Sequence, residues 1–210
     1  MTPTLAMVLM AVGCAVLVLA EYRDTAWMRA LGKMTASSAF LGLAWSLGAM
    51  ETPYGQWVFG ALVLSWIGDA LLLSRKEAIF QGGILAFLLA HVAFAVGFLG
   101  LGINPAWAGG ATAAILVLVG VVLRWLLPHM TGSMRFAGIA YVVVIALMVV
   151  LSVGAWGAGA SSWIPVGATV FLLSDLSVAR DRFVTPGFIN GAWGLPAYYL
   201  AQGILASTVG

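Results

Sequence analysis

Apolar residues in this chain come in long unbroken runs, with the polar residues gathered between the runs. A stretch such as "ILVLVGVVL" has neither the two-residue alternation of a half-buried strand nor the polar stripe of a soluble amphipathic helix. The runs stop at polar or Pro/Gly punctuation. They divide the chain into eight segments, at about 3–20, 29–49, 56–73, 79–101, 107–127, 135–156, 162–180 and 187–207. Each is close to the roughly 20 residues a helix needs to cross a hydrocarbon core. A membrane β-barrel would show short alternating segments instead. The pattern predicts an all-α, polytopic membrane protein of eight transmembrane helices, with residues 1–210 as a single domain.

Composition agrees with this pattern. The chain is 63% hydrophobic and 8% charged, with a mean hydropathy of +1.08. A soluble domain is about a quarter charged, so soluble classes are excluded and no nucleic-acid partner is expected. Cys14 is the one cysteine, which leaves no disulfide framework and no CxxC metal motif. The first run lacks a basic n-region and an A-x-A site before Glu21, and so reads as a retained helix.

The positions of the charges orient the helices. Arg23, Arg29 and Lys33 follow the first span, Arg75 and Lys76 the third, Arg124 and Arg135 flank the turn after the fifth, and Arg180 and Arg182 follow the seventh. All nine bases thus lie at odd-numbered turns, and the even turns "ETPYGQ", "GINPAW" and "GAGASS" have none. By the positive-inside rule the odd turns are cytoplasmic and both termini lie on the outer side. The short loops and Ala/Gly-rich composition point to a bacterial inner membrane.

Five of the seven acids sit in turns: Glu21, Asp24, Glu51, Glu77 and Asp181. The other two, Asp69 and Asp175, fall inside spans, six residues before Arg75 and five before Arg180. At about 1.5 Å per residue both carboxylates lie roughly 7–9 Å inside the cytoplasmic helix ends. Their surroundings match as well, "LSWIGDALLLSRKEAIF" against "FLLSDLSVARDRF". An even number of helices separates them, which predicts two parallel four-helix repeats about an axis along the membrane normal.

A carboxylate within the hydrocarbon costs about 2.5–3.5 kcal/mol on insertion scales and faces the bundle interior or a watered cavity. Two at one depth can divide acid and base roles, one protonated and one ionised. That pairing suits a hydrolytic site without metal, and equally a proton-coupled carrier. Gly83, Phe87 and His91 recur every four residues on one face of the fourth span, with His91 near the midplane, placed to orient an aspartate or reach the site through water. In "YYLAQG" of the last span, Tyr199 and Gln202 share a face, as interhelical glue or as site residues. Trp27, Trp57, Trp107 and Trp163 fall near span ends as an interfacial belt.

These residues together resemble the YhhN/TMEM86 family of polytopic membrane proteins. The resemblance runs through Lys33 at the start of the second helix, Gly68-Asp69, the series Phe80, Gly83, Phe87 and His91, then Tyr141, the F-x-x-S-D of Phe171, Ser174 and Asp175, and the Y-x-x-Q of Tyr199 and Gln202. The chain has Lys33-Met34 where the family often has Lys-Pro. The resemblance implies eight helices and a lysoplasmalogenase. Such an enzyme hydrolyses the vinyl ether of a lysophospholipid to a fatty aldehyde and a glycerophospho-ethanolamine or -choline. Asp69 and Asp175 are then the expected catalytic residues, and Lys33, His91, Ser174, Tyr199 and Gln202 the expected substrate-binding ones, with Lys33 directed at the phosphate. Substrate and membrane lipids are the expected partners, and no cofactor is expected. One deep His and two Asp are a thin set for zinc, so no metal is expected either. The alternative is a proton-coupled carrier of a small solute or lipid using the same aspartates. Its expected sign is broken helices at Gly32, Gly68 or Gly194-Leu195-Pro196.

Overall fold

The computed structural model describes residues 1–74 and 76–210, and these form helices and short connections. The helices are α1 (Pro3–Tyr22), α2 (Ala26–Ser46), α3 (Pro53–Leu71), α4 (Glu77–Gly100), α5 (Pro105–Leu126), α6 (Gly132–Gly157), α7 (Trp163–Ala179) and α8 (Phe188–Ala206). Every expected span corresponds to one of them, with ends displaced by three residues or fewer. A 3-10 turn, Leu127–His129, extends α5, and a π-helical turn, Arg180–Val184, extends α7. Arg75, expected among the bases after the third span, lies outside the described residues.

Five helices, α1, α4, α5, α6 and α7, are long and apolar enough to cross a membrane on composition alone. The other three, α2, α3 and α8, have 21, 19 and 19 residues. Their apolar character is diluted by Lys33, Ser37, Asp69, Asn190, Tyr198 and Gln202, all of them buried inside the bundle. The protein is an all-α, polytopic membrane protein.

Local sequence explains how the chain reverses at the even turns. α1, α3 and α5 each begin with Pro after a polar cap. Thr2 accepts from the Leu5 N–H, Thr52 from the Gly55 N–H, and Asn104 from the Ala106 and Trp107 N–H groups. α2 and α6 stop at glycines in the left-handed region, Gly48 (φ 82°) and Gly159 (φ 106°). Beyond them, the Ala49 N–H reaches the Ala44 carbonyl and the Ala160 N–H the Ala155 carbonyl, both at 3.1 Å.

The odd turns gather at one end of the bundle. The first meets the seventh through Tyr22 and Phe188, with ring centroids 5.3 Å apart. The third meets the seventh through an Arg182–Glu77 ion pair, and the Arg182 guanidinium lies 4.3 Å from the Phe80 ring centroid. At the other end the Tyr54 hydroxyl lies 2.6 Å from Thr208 Oγ1, and the Asn104 N–H donates to Gly154.

Close packing fixes the polar helices. α1 and α2 touch backbone to backbone at Gly13 and Gly32, where a methyl on Gly32 would sit 2.6 Å from the Leu17 nitrogen. Gly68 on α3 gives room to the Phe87 ring of α4. Phe40, Phe94, Phe98 and Phe171 are fully buried at the centre. α5 is the exception. It packs mainly on α6, only Val122 and Leu126 along it are buried, and Leu116, Val117 and Val121 point outward.

Candidate active site

Between the halves of the bundle lies a cavity of about 510 Å³, in the range of small-molecule sites. Both in-span aspartates line it, one from α3 and one from α7.

Asp69 is almost completely enclosed, 1% exposed. Lys33 and Ser37 are one turn apart on α2, so both side chains face α3. Lys33 Nζ donates to Asp69 Oδ1 at 3.1 Å and Ser37 Oγ to Oδ2 at 2.6 Å. The Tyr198 hydroxyl of α8 adds a third bond to Oδ2 at 2.7 Å. Three donors, one of them a cation, converge on this carboxylate. Tyr199 stands behind it, its hydroxyl 3.2 Å from Ser37 Oγ and 3.3 Å from the Lys33 carbonyl to which it donates.

Asp175 has a different setting. Its side chain is 17% exposed, opening onto the cavity, and no Lys or Arg is paired with it among the described residues. The Tyr141 hydroxyl of α6 donates to Oδ2 at 2.9 Å. On the far side, His91 Nε2 of α4 lies 3.4 Å from the same oxygen. His91 itself is fully buried, and its ring lies against Phe171 with centroids 4.5 Å apart.

The two settings correspond helix for helix. Asp69 of α3 is approached from α2 and α8, and Asp175 of α7 from α6 and α4. Each aspartate therefore takes one partner from the preceding helix of its own half and one from the last helix of the other half.

Of the residues expected to serve the site, Asp69, Asp175, Lys33 and Ser174 line the cavity. Ser174 spends its proton on its own helix, donating to the Phe171 carbonyl at 2.7 Å. Lys33, expected to face a phosphate, is drawn onto Asp69. His91, Tyr199 and Gln202 are packed behind the lining. Gln202 is fully buried, and neither atom of its amide has a partner among the described residues. On α8 it is Tyr198, about 100° around the helix from Tyr199, that reaches the cavity. Ser37 carried no signal in the sequence, since a serine in a membrane helix is common helix–helix glue.

The cavity is amphipathic along its length. Its polar end lies toward the basic turns, where Glu21 and Asp24 pair with Arg29 at 2.7 and 3.0 Å. There Asp181 accepts from the Gly187 N–H at 2.9 Å and from Asn190 Nδ2 at 2.8 Å. Its other arm is apolar, formed by Leu118 and Val122 of α5, Ile145 of α6 and Leu172 of α7.

The YhhN family model matches residues 28–209, a stretch that contains every residue of both aspartate clusters. The chain belongs to the YhhN family. It is 31% identical over 172 residues to a Bos taurus protein named lysoplasmalogenase TMEM86A, covering 78% of this chain and 70% of that protein. It is 32% identical over 176 residues to the Homo sapiens protein named lysoplasmalogenase TMEM86B, covering 84% and 73%. A Mycobacterium bovis protein named lysoplasmalogenase is 30% identical over 171 residues, covering 78% and 64%. No solved structure matches the chain.

Proposed function

We propose that this protein is a membrane-embedded hydrolase that cleaves the vinyl ether bond of lysoplasmalogens. The reaction takes 1-alkenyl-glycerophosphoethanolamine or -choline and water to a fatty aldehyde and glycerophospho-ethanolamine or -choline. One observation carries this reading: two carboxyls on different helices open onto a single cavity that is polar at the basic-turn end and apolar beyond. A lysolipid has the same order of parts, with the ether linkage between a charged headgroup and an alkyl chain. The names of the relatives support the same reaction.

A vinyl ether hydrolyses when its β-carbon takes a proton. The resulting oxocarbenium ion is captured by water, and the hemiacetal collapses to aldehyde and alcohol. The site must supply an acid, a positioned water and negative charge against the cation. Asp69 and Asp175 carry this acid/base catalysis between them, and the reaction as written uses no metal. Lys33 balances Asp69. Its ammonium has three donors, so the bond to Asp69 leaves capacity for a phosphate oxygen. Ser174 borders the substrate, whereas His91, Tyr199 and Gln202 support it from behind the lining. The headgroup remains at the basic-turn end, read as cytoplasmic with both termini outside in a bacterial inner membrane. The matched partners of the two aspartates support parallel four-helix repeats within one domain.

A carrier built on the same aspartates is expected to interrupt its helices at the site. α2, α3 and α8 run through Gly32, Gly68 and Gly194-Leu195-Pro196 without a break, which favours the hydrolase. The test is to supply purified protein with lysoplasmalogen and measure aldehyde. Release above a heat-inactivated control supports the reading, and its absence beside an active control enzyme overturns it.

A further inference from the structure

We propose that His91 and Asp175 hold one proton between them, that it rests on Asp175 in the resting protein, and that it is the proton delivered to the substrate. Asp175 is then the acid, Asp69 the anion that faces the developing cation, and His91 the residue that positions the acid. The assignment of the delivered proton rests on the hydrolase reading, and its location in the resting protein does not.

His91 Nδ1 lies 2.6 Å from the Phe87 carbonyl one turn earlier on α4. A carbonyl oxygen carries no proton, so Nδ1 must be the donor. In a neutral imidazole that makes Nε2 the bare acceptor. Nε2 is buried with no hydrogen-bond partner among the described residues, and Asp175 Oδ2 lies 3.4 Å from it. Two lone pairs facing each other in a buried site repel, and an unsatisfied buried nitrogen is costly. A proton between the two atoms removes both problems. Tyr141 does not compete for it, because its hydroxyl donates to Oδ2 and leaves that oxygen able to donate onward.

The surroundings determine where the proton rests. His91 is fully buried against Phe171 and Tyr141. A neutral carboxylic acid beside a neutral imidazole avoids burying an ion pair there. The groups that face Asp175 are His91 from α4 and Tyr141 from α6. Across the shared cavity stand Lys33 from α2, Asp69 from α3 and Tyr198 from α8. Lys33 is committed to Asp69, where Ser37 and Tyr198 also donate. Among the described residues every hydrogen bond to Asp69 is thus donated to it, while Asp175 has an acceptor waiting.

In the reaction the Asp175 O–H proton passes to the β-carbon. The π electrons form the new C–H bond, leaving the oxocarbenium ion and an Asp175 carboxylate. Water then bonds to the cationic carbon and releases a proton to Asp175, which restores the acid. In the collapse the hemiacetal hydroxyl proton is removed and the departing glycerol oxygen gains one, so no proton is consumed overall. His91 accepts from Asp175 at the start and the end, which returns the recovered proton to Oδ2.

Infrared difference spectroscopy of the purified protein at neutral pH tests the location of the proton without substrate. We expect the C=O stretch of a protonated carboxylic acid in the wild type, lost in Asp175→Asn and displaced to higher frequency in His91→Phe, which keeps a ring against Phe171 but no acceptor. In the aldehyde assay His91→Phe should lower kcat about 100-fold with KM changed by less than about twofold. A purely structural histidine would alter thermal stability or KM and leave the carboxyl band in place. The inference is overturned if no acid band disappears in Asp175→Asn, or if the band is unmoved in His91→Phe. A wild-type protein that shows the band but releases no aldehyde refutes the hydrolase reading and with it the delivery of this proton, while its location stands.

Discussion

Replacing Lys33 by methionine keeps the length of the side chain and removes the ammonium that sits 3.1 Å from Asp69 Oδ1. Both partners are buried, with side chains 11% and 2% exposed, so water cannot take over the role of the cation. Ser37 and Tyr198 would still donate to the carboxylate, but a buried charge that loses its counter-ion destabilises by about 3–5 kcal/mol. At about 2–4 °C per kcal/mol for a chain of this size, the midpoint should fall by roughly 6–20 °C. Asp69→Asn alone strands the lysine and should cost a comparable amount. The double variant Lys33→Met/Asp69→Asn removes both charges and should recover at least half of the summed loss. Thermal unfolding in detergent, followed through the nine tryptophans, measures all four proteins. Additive losses in the double variant would refute the claim that the two charges neutralise each other in the bundle.

Tyr198→Phe deletes one hydroxyl bond to a charged carboxylate and should cost about 1.5–3 kcal/mol of stability by the same assay, with slower aldehyde release. Gly32→Ala forces a methyl against the Leu17 backbone and should destabilise by about 1–3 kcal/mol; because Lys33 is the next residue, aldehyde release should fall with it. Val122→Trp fills the apolar arm of the cavity from α5, and should raise KM for long alkenyl chains more than for short ones in a chain-length series.

The helices were legible because membrane spans are written in composition and length, and the reversals because Thr-Pro, Asn-Pro and a left-handed Gly each carry a local backbone reason. Asp69 and Asp175 stood out because a carboxylate within an apolar run is costly. What stayed hidden depends on helix phase and neighbourhood. Adjacent tyrosines in "YYLAQG" are indistinguishable by composition, yet a rotation of about 100° sends Tyr198 to the cavity and Tyr199 behind it. Ser37 acquires meaning only when α3 brings a carboxylate to it. The approach of His91 to Asp175 joins helices from different halves of the chain, a contact with no local trace in either segment. Lys33 was visible near a helix start and within reach of the in-span aspartates, but the spacing alone did not say that Asp69 is the one it pairs with.

Hydrolysis in heavy water tests the central claim most directly. Purified protein is supplied with lysoplasmalogen in deuterium oxide, and the aldehyde is trapped as it forms and weighed by mass spectrometry. Protonation at carbon by a cavity carboxyl predicts a single deuterium on the carbon next to the aldehyde, with release abolished in Asp175→Asn and in Asp69→Asn while both variants remain folded. Aldehyde without deuterium, or release that survives in both variants, would contradict the account.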